Sequence, residues 1–444
     1  MSSDLTQRVV ADVTDALSSW SHGEEAAGRG VGPAEEQAER ERLLVSALES
    51  QRRQRLVAGL PPLDAGEESA LAVDARARLS GFGALEHLLV DPTIENIHAN
   101  GCDRVFITHA GGERSTGPAL AATDAELVEL IRRIAAHGGR TERRFDDAKP
   151  LLALRLPDGS RLSAVMNVSG RPSLSVRRHR HTEVRLVDLI ALGTVNDDLA
   201  AVLAASVARP HPLNVVVAGG TDAGKTTLLR ALLAEIDPAE RLVVIEDALE
   251  LQLEQDRGRH PNVVELETRE ANIEGAGEIT MRDLARHALR MAPDRVIVGE
   301  VRGGEVLEML LAMSQGNDGS MCTLHADSSA AALTKIATYA LMAPERMPIE
   351  ATNLLVAQSV DLVVHLARRP DGSRVVSSVR EVTGADGRLV TTNEVFAPGA
   401  DGTARLVHAF SETTWDRLVA NGLDPAVLGR SDRGRSDQRR RSWA

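Results

Sequence analysis

Short apolar runs alternate with amphipathic stretches from about residue 184 onward. "LNVVVAG", "RLVVIED" and "DRVIVGE" are rich in β-branched residues, and each leads into glycine, acidic or turn-forming residues. Strands that are apolar throughout are typical of a parallel sheet with helices on both faces. The pattern predicts an α/β domain with a parallel sheet over residues 184–428. A hairpin with Asp386 and Gly387 at its tip is predicted near its end.

The segment before this domain has a different pattern. "DRVFIT", "LLALRL" and "RLSAVMNV" are short strand-like pieces, and turn sequences such as "HAGGE" and "PDGS" separate them. Pro157, Asp158 and Gly159 favour a tight turn, so "RLPDGSR" is predicted to form a hairpin. Residues 79–183 are therefore predicted to be a smaller α+β domain.

Both ends of the chain lack a strand pattern. From Asp4 to about Leu60, apolar residues recur at helical spacing in two runs, with a glycine-rich gap from Gly23 to Pro33. Residues 1–78 are predicted to be N-terminal helices joined by a flexible linker. Residues 429–444 are basic without a core-forming pattern, which is typical of a disordered tail.

Composition excludes several classes of function. The 444 residues suffice for two or three domains. A net charge of −13 and an aromatic content of 2% argue against a broad nucleic-acid surface, so no direct nucleic-acid contact is expected. Cys102 and Cys322 form no CxxC pair, which argues against a zinc cluster. No apolar run approaches the ~20 residues of a membrane helix, and no signal-peptide pattern is present, so a cytoplasmic protein is expected.

Residues 219–226 match the phosphate-binding pattern G-x-x-x-x-G-K-[ST], between a predicted strand and a predicted helix. Backbone N–H groups of such a loop surround phosphate oxygens, and the helix N-terminus adds a favourable dipole. Lys225 is expected at the β- and γ-phosphates, and the Thr226 hydroxyl at Mg²⁺. The predicted nucleotide-binding residues of the loop are Gly219, Gly220, Thr221, Asp222, Ala223, Gly224, Lys225, Thr226 and Thr227.

Asp222 places a negative charge in a loop that is predicted to bind an anion. Glycine often takes this position because the backbone leaves the usual φ range, and Asp and Asn tolerate the left-handed region best among the other residues. We therefore predict that Asp222 adopts this backbone conformation and that nucleotide binding survives its charge.

Acidic residues follow two of the later strands. Glu246, Asp247 and Glu250 come after "RLVVI", and Glu300 ends "DRVIVGE". Parallel sheets present such groups at the carboxyl edge, where a nucleotide requires a base and metal-linked carboxylates. Glu300 is the preferred candidate for the catalytic base. The alternative is that Glu300 pairs with Arg302 or caps the following helix.

Four ordered motifs resemble the type II/type IV secretion ATPase superfamily, and most closely its tight-adherence pilus assembly branch. They are "LRLPDGSR…SLSVRRH", "GGTDAGKTTLLRAL", "VVIEDALELQL" and "RMAPDRVIVGEVRGGEVLEMLLAMSQGNDGSMCTLHADS". The resemblance covers about residues 79–396. It implies a RecA-like P-loop domain preceded by a smaller α+β domain, with ATP between the two lobes of each subunit in a hexameric ring.

The resemblance also assigns roles to residues outside the phosphate loop. Glu246, Asp247 and Glu250 fall in the aspartate box of the family, Glu300 is its Walker B glutamate, and His325 is its histidine-box residue. Without the resemblance, a lone histidine such as His325 is more often a packed or capping residue. The implied catalytic residues are Glu300, Glu246, Glu250 and His325, and the implied Mg²⁺ residues are Thr226 and Glu300. The basic residues through which the N-terminal lobe is expected to reach ATP are Arg155, Arg161, Arg177 and Arg178.

Three features depart from the family pattern. Asn317 stands where many relatives have the first histidine of the box, and Ala292 replaces a frequent arginine. The tetracysteine zinc module of the type II secretion branch is absent, which argues against that branch.

The resemblance implies a Mg²⁺-dependent ATP hydrolase that powers pilus assembly or protein secretion at the cytoplasmic face of the inner membrane. Its expected partners are further copies of itself and a polytopic inner-membrane platform protein. Two alternatives stay open. The first is a nucleotide-binding assembly scaffold with little turnover, which is suggested by Asp222 and Asn317. The second is the ATPase of a conjugation or DNA-uptake system, since the superfamily also includes such ATPases.

Overall fold

A computed structural model describes residues 2–26, 33–79, 82–109, 112–137, 144–156, 158–178, 184–256, 258–269, 271 and 275–428. The chain divides into two compact units, Met1–Arg180 and His181–Ala444. The predicted tail, residues 429–444, lies outside the described residues. Residues 27–32 of the predicted linker do so as well.

Three helices begin the first unit: α1 (Ser2–Ala26), α2 (Pro33–Val57) and α3 (Ala65–Leu79). Val9 and Val13 of α1 form a small apolar core with Leu44 of α2 and Leu71 of α3. The predicted helical periodicity is confirmed in both runs, but α1 continues past Gly23, where the first run was expected to end.

A six-stranded antiparallel sheet forms the rest of this unit, in the order β3-β2-β1-β6-β5-β4. Its elements are α4 (Leu85–Val90), β1 (Ile94–Asn100), β2 (Val105–His109), β3 (Arg114–Gly117), α5 (Asp124–His137), β4 (Leu151–Arg155), β5 (Arg161–Val165) and β6 (Ser173–Arg177). Leu127 and Ile131 of α5 pack with Ile97 and Leu174 of the sheet. The predicted hairpin joins β4 to β5, although Pro157 itself lies outside the described residues.

The second unit contains a nine-stranded sheet in the order β15-β14-β13-β12-β7-β11-β10-β8-β9. The six strands from β12 to β9 are parallel, and β13 to β15 extend the sheet in antiparallel fashion. The strands are β7 (Val215–Gly219), β8 (Leu242–Glu246), β9 (Val263–Glu267), β10 (Arg295–Val301), β11 (Met321–His325), β12 (Leu362–Arg368), β13 (Arg374–Asp386), β14 (Leu389–Pro398) and β15 (Ala404–Leu406). The parallel α/β domain predicted from the sequence is confirmed.

The helices of this unit lie between the strands in sequence, apart from the first two and the last two. They are α6 (Leu186–Ala191), α7 (Asp197–Val207), α8 (Lys225–Leu233), α9 (Met281–Ala288), α10 (Val306–Ser314), α11 (Ser329–Met342), α12 (Ile349–Ser359), α13 (Glu412–Ala420) and α14 (Pro425–Leu428), with a 3-10 turn at Leu253–Gln255. Within the described ranges, none of the helices combines the length and the apolarity that crossing a bilayer requires.

Strand β7 shows why its sequence is apolar throughout. Val215 and Val217 belong to the core that also contains α7 and α8, whereas Val216 and Ala218 belong to the core that also contains α10 and α11. Successive side chains of a strand point to opposite faces, so a strand covered on both sides buries all of them. Each buried valine contributes about 1.5–3 kcal/mol relative to exposure.

The predicted hairpin near the end of the domain is also present. Strand β13 ends at Asp386, which pairs with Leu389 at the start of β14. Gly387 has a φ of 55° and lies in the two-residue loop between them. Because this conformation is open to glycine at no steric cost, the sequence signal for the turn was reliable.

Candidate functional site

A glycine-rich loop joins the buried strand β7 directly to helix α8. Gly219 ends the strand, and a Cβ atom at this position would lie 2.7 Å from the carbonyl oxygen of Leu366, so a side chain does not fit. Gly224 precedes the helix with a φ of 94°, in the left-handed region that favours glycine. The sequence thus folds into the strand–loop–helix arrangement that the phosphate-binding pattern predicts.

Asp222 has a φ of 60°, so the predicted left-handed backbone conformation is confirmed. Its carbonyl oxygen accepts a hydrogen bond from Nε of Arg374 at 2.7 Å. No sequence motif indicated Arg374, which lies 152 residues further along the chain. The contact arises because the fold brings the start of β13 next to the loop, and a local sequence pattern does not reveal it.

Lys225 begins α8, and its side chain turns back over the loop. Nζ donates to the carbonyl oxygens of Gly219 at 3.2 Å and Gly220 at 3.0 Å. Burial lowers the pKa of Lys225, and the carboxylates of Glu300 and Glu250 oppose that shift only in part. The two carbonyl groups that accept from Lys225 are neutral, so no carboxylate is bonded directly to its amino group in these contacts.

His325, at the end of β11, connects Lys225 to Glu300. Its Nδ1 atom lies 3.2 Å from Nζ of Lys225, and its Nε2 atom lies 2.9 Å from Oε1 of Glu300. Nδ1 can accept a hydrogen bond from Nζ of Lys225 when it carries no proton. The Oε1 atom of Glu300 is buried and, among the described residues, has no hydrogen-bond partner, so His325 and Glu300 are close without being hydrogen-bonded. Burial lowers the pKa of His325, and the charge of Lys225 lowers it further, which favours the neutral ring.

Glu300 lies between two basic side chains at the carboxyl end of β10. Its Oε2 atom accepts a hydrogen bond from Nη2 of Arg302 at 2.8 Å, and Nη1 of Arg302 lies 3.4 Å from Oδ2 of Asp247. Burial by itself would raise the pKa of Glu300. The hydrogen bond and charge of Arg302, together with the neighbouring His325 ring and the charge of Lys225, outweigh it, so the pKa lies below its ordinary value.

The alternative interpretation of Glu300 was that it pairs with Arg302 or caps the following helix. The structure shows the pair but not the cap. Glu300 does pair with Arg302. However, the carboxylate at the start of the next helix belongs to Glu305, which accepts the backbone N–H groups of Arg302 at 2.6 Å and Gly303 at 2.8 Å. Glu305 immediately precedes α10 and can reach back to these donors, whereas the Glu300 side chain contacts His325.

Glu246 organises the loop that carries Glu250. The carboxyl group of Glu246 is buried and accepts the backbone N–H groups of Glu250 and Leu251, each at 3.1 Å. The Glu250 carboxylate in turn lies 3.4 Å from the Thr226 hydroxyl, which donates to it. Gly299 makes room for this arrangement, since a Cβ there would lie 2.6 Å from Cγ of Glu246.

The buried carboxyl group of Glu246 predicts a pH-dependent stability. Burial raises its pKa from 4.5 to about 8, although two backbone hydrogen bonds oppose the shift. The folded protein then keeps this proton up to about pH 8, whereas the unfolded chain releases it near its ordinary pKa, so raising the pH across this window favours unfolding. In thermal melts from about pH 5 to about pH 8.5, Glu246→Gln should gain stability relative to the wild type as the pH rises.

The control for this prediction is Glu278→Gln. Glu278 is exposed and lies outside the strands that surround Glu246. Its melting temperature should follow that of the wild type at every pH. A Glu246→Gln difference that stays constant with pH would contradict the assignment of the buried proton.

Three of the four predicted arginines form a row in the first unit. Arg155 of β4 pairs in register with Arg161 of β5, which pairs with Arg177 of β6. The strand register therefore places three arginines side by side across the sheet. The Nε atom of Arg155 is buried and, within the described ranges, has no hydrogen-bond partner. Arg178 does not belong to the row, because its guanidinium donates to the carbonyl oxygen of Asp91.

Two positions that depart from the family pattern, Ala292 and Asn317, lie in the turns before β10 and β11. Nδ2 of Asn317 donates to the carbonyl oxygen of Pro293 at 2.6 Å, and its own carbonyl oxygen accepts from the Ser320 hydroxyl at 2.6 Å. Ala292 has a φ of 50°. Asn317 therefore ties the loop before β11 to the residues before β10.

The chain is similar to several known proteins. It matches the family model "Type II/IV secretion system protein" over residues 78–438. A Mycobacterium tuberculosis protein, provisionally named a conjugal transfer protein, is 36% identical over 322 residues, which are 71% of this chain and 88% of that protein. The type IV secretion system protein PtlH of Bordetella pertussis is 34% identical over 247 residues, which are 50% of this chain and 71% of PtlH. Among solved structures, the VirB11 ATPase from the Brucella suis type IV secretion system is 27% identical, with 66% of this chain and 94% of VirB11 covered and a TM-score of 0.35.

Proposed function

Because the chain belongs to the type II/IV secretion system protein family, we propose that it is a Mg²⁺-dependent ATP hydrolase that drives pilus assembly or protein secretion. The observation that carries the proposal is the chain of contacts from Lys225 through His325 to Glu300 beside the phosphate loop. A cation that holds phosphates and a carboxylate that can orient water, both at the carboxyl edge of a parallel sheet, are groups that phosphoryl transfer to water uses.

In the proposed binding mode, the loop and Lys225 hold the phosphates. The backbone N–H groups of residues 220–225 and the N-terminus of α8 attract phosphate oxygens. Lys225 adds a full positive charge at the same end of the helix. Its neutral partners, two carbonyl groups and the ring of His325, are weaker acceptors than a phosphate oxygen.

Glu300 is the proposed base for hydrolysis. Its lowered pKa keeps the carboxylate ionised at neutral pH, so it can orient a water molecule and accept its proton. The water oxygen then forms the new bond to the γ-phosphorus, the bond from that phosphorus to the bridging oxygen breaks, and ADP and phosphate leave. In this proposal, Arg302 and His325 keep the carboxylate in place from its two oxygens.

The residues near the loop also fit Mg²⁺. Among the described residues, no group of three or more His, Cys, Asp or Glu side chains is arranged to hold a metal ion. Mg²⁺ at nucleotide sites typically uses one or two protein groups together with phosphate oxygens and water, so a full protein cage is not required. The Thr226 hydroxyl, with Glu300 or Glu250 acting through water, would hold the ion, which neutralises phosphate charge when bound.

The proposal extends to the first unit and to assembly. We propose that the row of Arg155, Arg161 and Arg177 binds nucleotide phosphates, because the planar guanidinium group can donate two parallel hydrogen bonds to phosphate oxygens. Loss of the γ-phosphate then weakens this attraction, and in this proposal hydrolysis is thereby linked to movement of the lobes.

We further propose that the domains divide at residues 78, 183 and 428 and that the subunits form a hexameric ring. The protein would belong to the tight-adherence pilus branch and act in the cytoplasm at an inner-membrane platform protein.

A second candidate is the ATPase of a conjugation system. It is favoured by the conjugal transfer names of relatives from Mycobacterium tuberculosis and from Rhizobium radiobacter, the latter 31% identical over 305 residues. The net charge of −13 argues against direct DNA contact by this chain. A scaffold with little turnover is less well supported, because Asp222 adopts the backbone conformation that the loop requires.

Phosphate release by the purified full-length chain tests these candidates. With ATP and Mg²⁺ we expect steady turnover, which EDTA should abolish and which added single- or double-stranded DNA should leave unchanged. Stimulation by DNA of several-fold would support the conjugation candidate instead. ADP binding without any phosphate release would support the scaffold.

A further inference from the structure

The hairpin formed by β12 and β13 contacts both the start and the end of the phosphate loop. At the start of the loop, Leu366 of β12 pairs in register with Gly219, and the Leu366 carbonyl oxygen leaves no room for a side chain at Gly219. At the other end, Cδ of Arg374 would lie 3.2 Å from a Cβ atom at Gly224. The first and last glycines of the motif are therefore both packed against this hairpin.

Arg374 fixes the orientation of one peptide group in the loop. Its Nε–H group donates to the carbonyl oxygen of Asp222 at 2.7 Å. The C=O and N–H groups of a trans peptide point in opposite directions, so this bond turns the following N–H group, that of Ala223, away from Arg374. That N–H group donates across the loop to the carbonyl oxygen of Gly220 at 3.3 Å.

The turn that presents Arg374 is itself held in place. The carboxylate of Asp371 accepts the backbone N–H group of Ser373 at 2.8 Å and its hydroxyl at 2.6 Å. Arg369 donates from its backbone to the carbonyl oxygen of Ser373 and from Nε to that of Asp401, which precedes β15. The backbone that carries Arg374 is therefore already ordered, so less backbone freedom is lost when its guanidinium bonds the loop.

We propose that Arg374 is a positioning residue for the phosphate loop. Its charge-assisted hydrogen bond holds the peptide between Asp222 and Ala223 with the Ala223 N–H group on the Gly220 carbonyl oxygen. This closed turn leaves the other N–H groups of the loop to bind an anion. Asp222 has a left-handed backbone conformation, which is uncommon for residues other than glycine. The hydrogen bond from Arg374 stabilises that conformation. This inference rests on the proposed function, because it takes the loop to bind nucleotide phosphates.

ADP binding by the full-length chain tests the proposal, with a fluorescently labelled ADP as the probe. In Arg374→Met, which keeps most of the aliphatic stem beside Gly224 and removes the guanidinium, we expect about 10-fold weaker affinity. Arg368→Met is the matched control, since Arg368 is the exposed cross-strand partner of Arg374 and, in the described part of the chain, has no hydrogen bond to the loop. It should stay within about 2-fold of the wild type. Thermal melts without ADP check that both variants fold.

A second comparison uses the Asp222→Gly chain with and without Arg374→Met. It distinguishes a positioning role of Arg374 from simple attraction between its charge and the nucleotide. Glycine enters the left-handed region without steric cost, so the loop then depends less on Arg374. We expect Arg374→Met to weaken ADP binding by less than about 3-fold in the Asp222→Gly background. An undiminished loss in that background would overturn the proposal, because it would mean that the guanidinium attracts the nucleotide only by its charge.

Two further results would overturn the proposal. Arg374→Met could bind ADP as tightly as the wild type, or Arg368→Met could lose as much affinity as Arg374→Met. If the proposed function itself is wrong, the wild-type chain will not bind ADP. If the wild type binds ADP and Arg374→Met binds it equally well, only the positioning role of Arg374 is disproved.

Discussion

Lys225→Met is expected to abolish measurable ATP hydrolysis, with kcat/KM lowered by about 10²–10⁴-fold. The estimate follows from two lost charge-assisted hydrogen bonds to phosphate, at about 1.5–3 kcal/mol each and 1.4 kcal/mol per factor of ten. Methionine keeps a long apolar stem beneath the loop, so the variant removes the ammonium group without a large cavity. Binding of ADP and ATP should weaken together with turnover, because in the proposed binding mode the lysine contacts phosphates in both the bound state and the transition state.

Phosphate release and nucleotide titration on the same preparation measure both effects. Lys149→Met, which removes an exposed lysine of the first unit, serves as the matched control and should retain wild-type turnover. Since Lys225 also donates to two loop carbonyl groups, a thermal melt without nucleotide is needed to show that the variant is folded. A folded Lys225→Met chain that hydrolyses ATP at the wild-type rate would disprove the assigned phosphate site.

Glu300→Gln should lower kcat by about 10²–10⁴-fold, the range of a lost general base, while ATP still binds. Glutamine has nearly the same size as glutamate, and its carbonyl oxygen can accept a hydrogen bond from Arg302 or His325. It carries no negative charge and is not a base at neutral pH. The change therefore leaves the shape of the site intact and removes only the proton acceptor.

The expected signature is a fall in kcat with an affinity for ATP that is unchanged or tighter, because a negative charge near the triphosphate is lost. Glu267→Gln makes the same chemical change at the carboxyl end of the edge strand β9 and should leave turnover intact. Equal activity of Glu300→Gln and the wild type would show that Glu300 only pairs with Arg302. A large loss of ATP binding would instead favour a role in holding Mg²⁺.

The sequence motifs predicted the phosphate loop well because all of its parts are close together in the chain. An apolar strand, a loop that requires left-handed φ values and a helix start occupy residues 215–233, and each depends mainly on local backbone preferences. The left-handed conformation of Asp222 followed from the same reasoning. The alternative that Glu300 caps the following helix stayed open in the sequence, because two nearby carboxylates, Glu300 and Glu305, could turn back to the residues before that helix.

The alternation of apolar strands and amphipathic helices, together with the motif spacing, determined the α/β class, the parallel sheet and the position of the phosphate loop. These features follow from preferences that extend over a few residues. Only the tertiary structure joined His325 to Lys225, Arg374 to Asp222 and Arg302 to Asp247, and only strand register aligned the row of arginines. These contacts depend on how distant strands pack and pair, and a side chain carries no local signal for a partner that is 50 to 150 residues away.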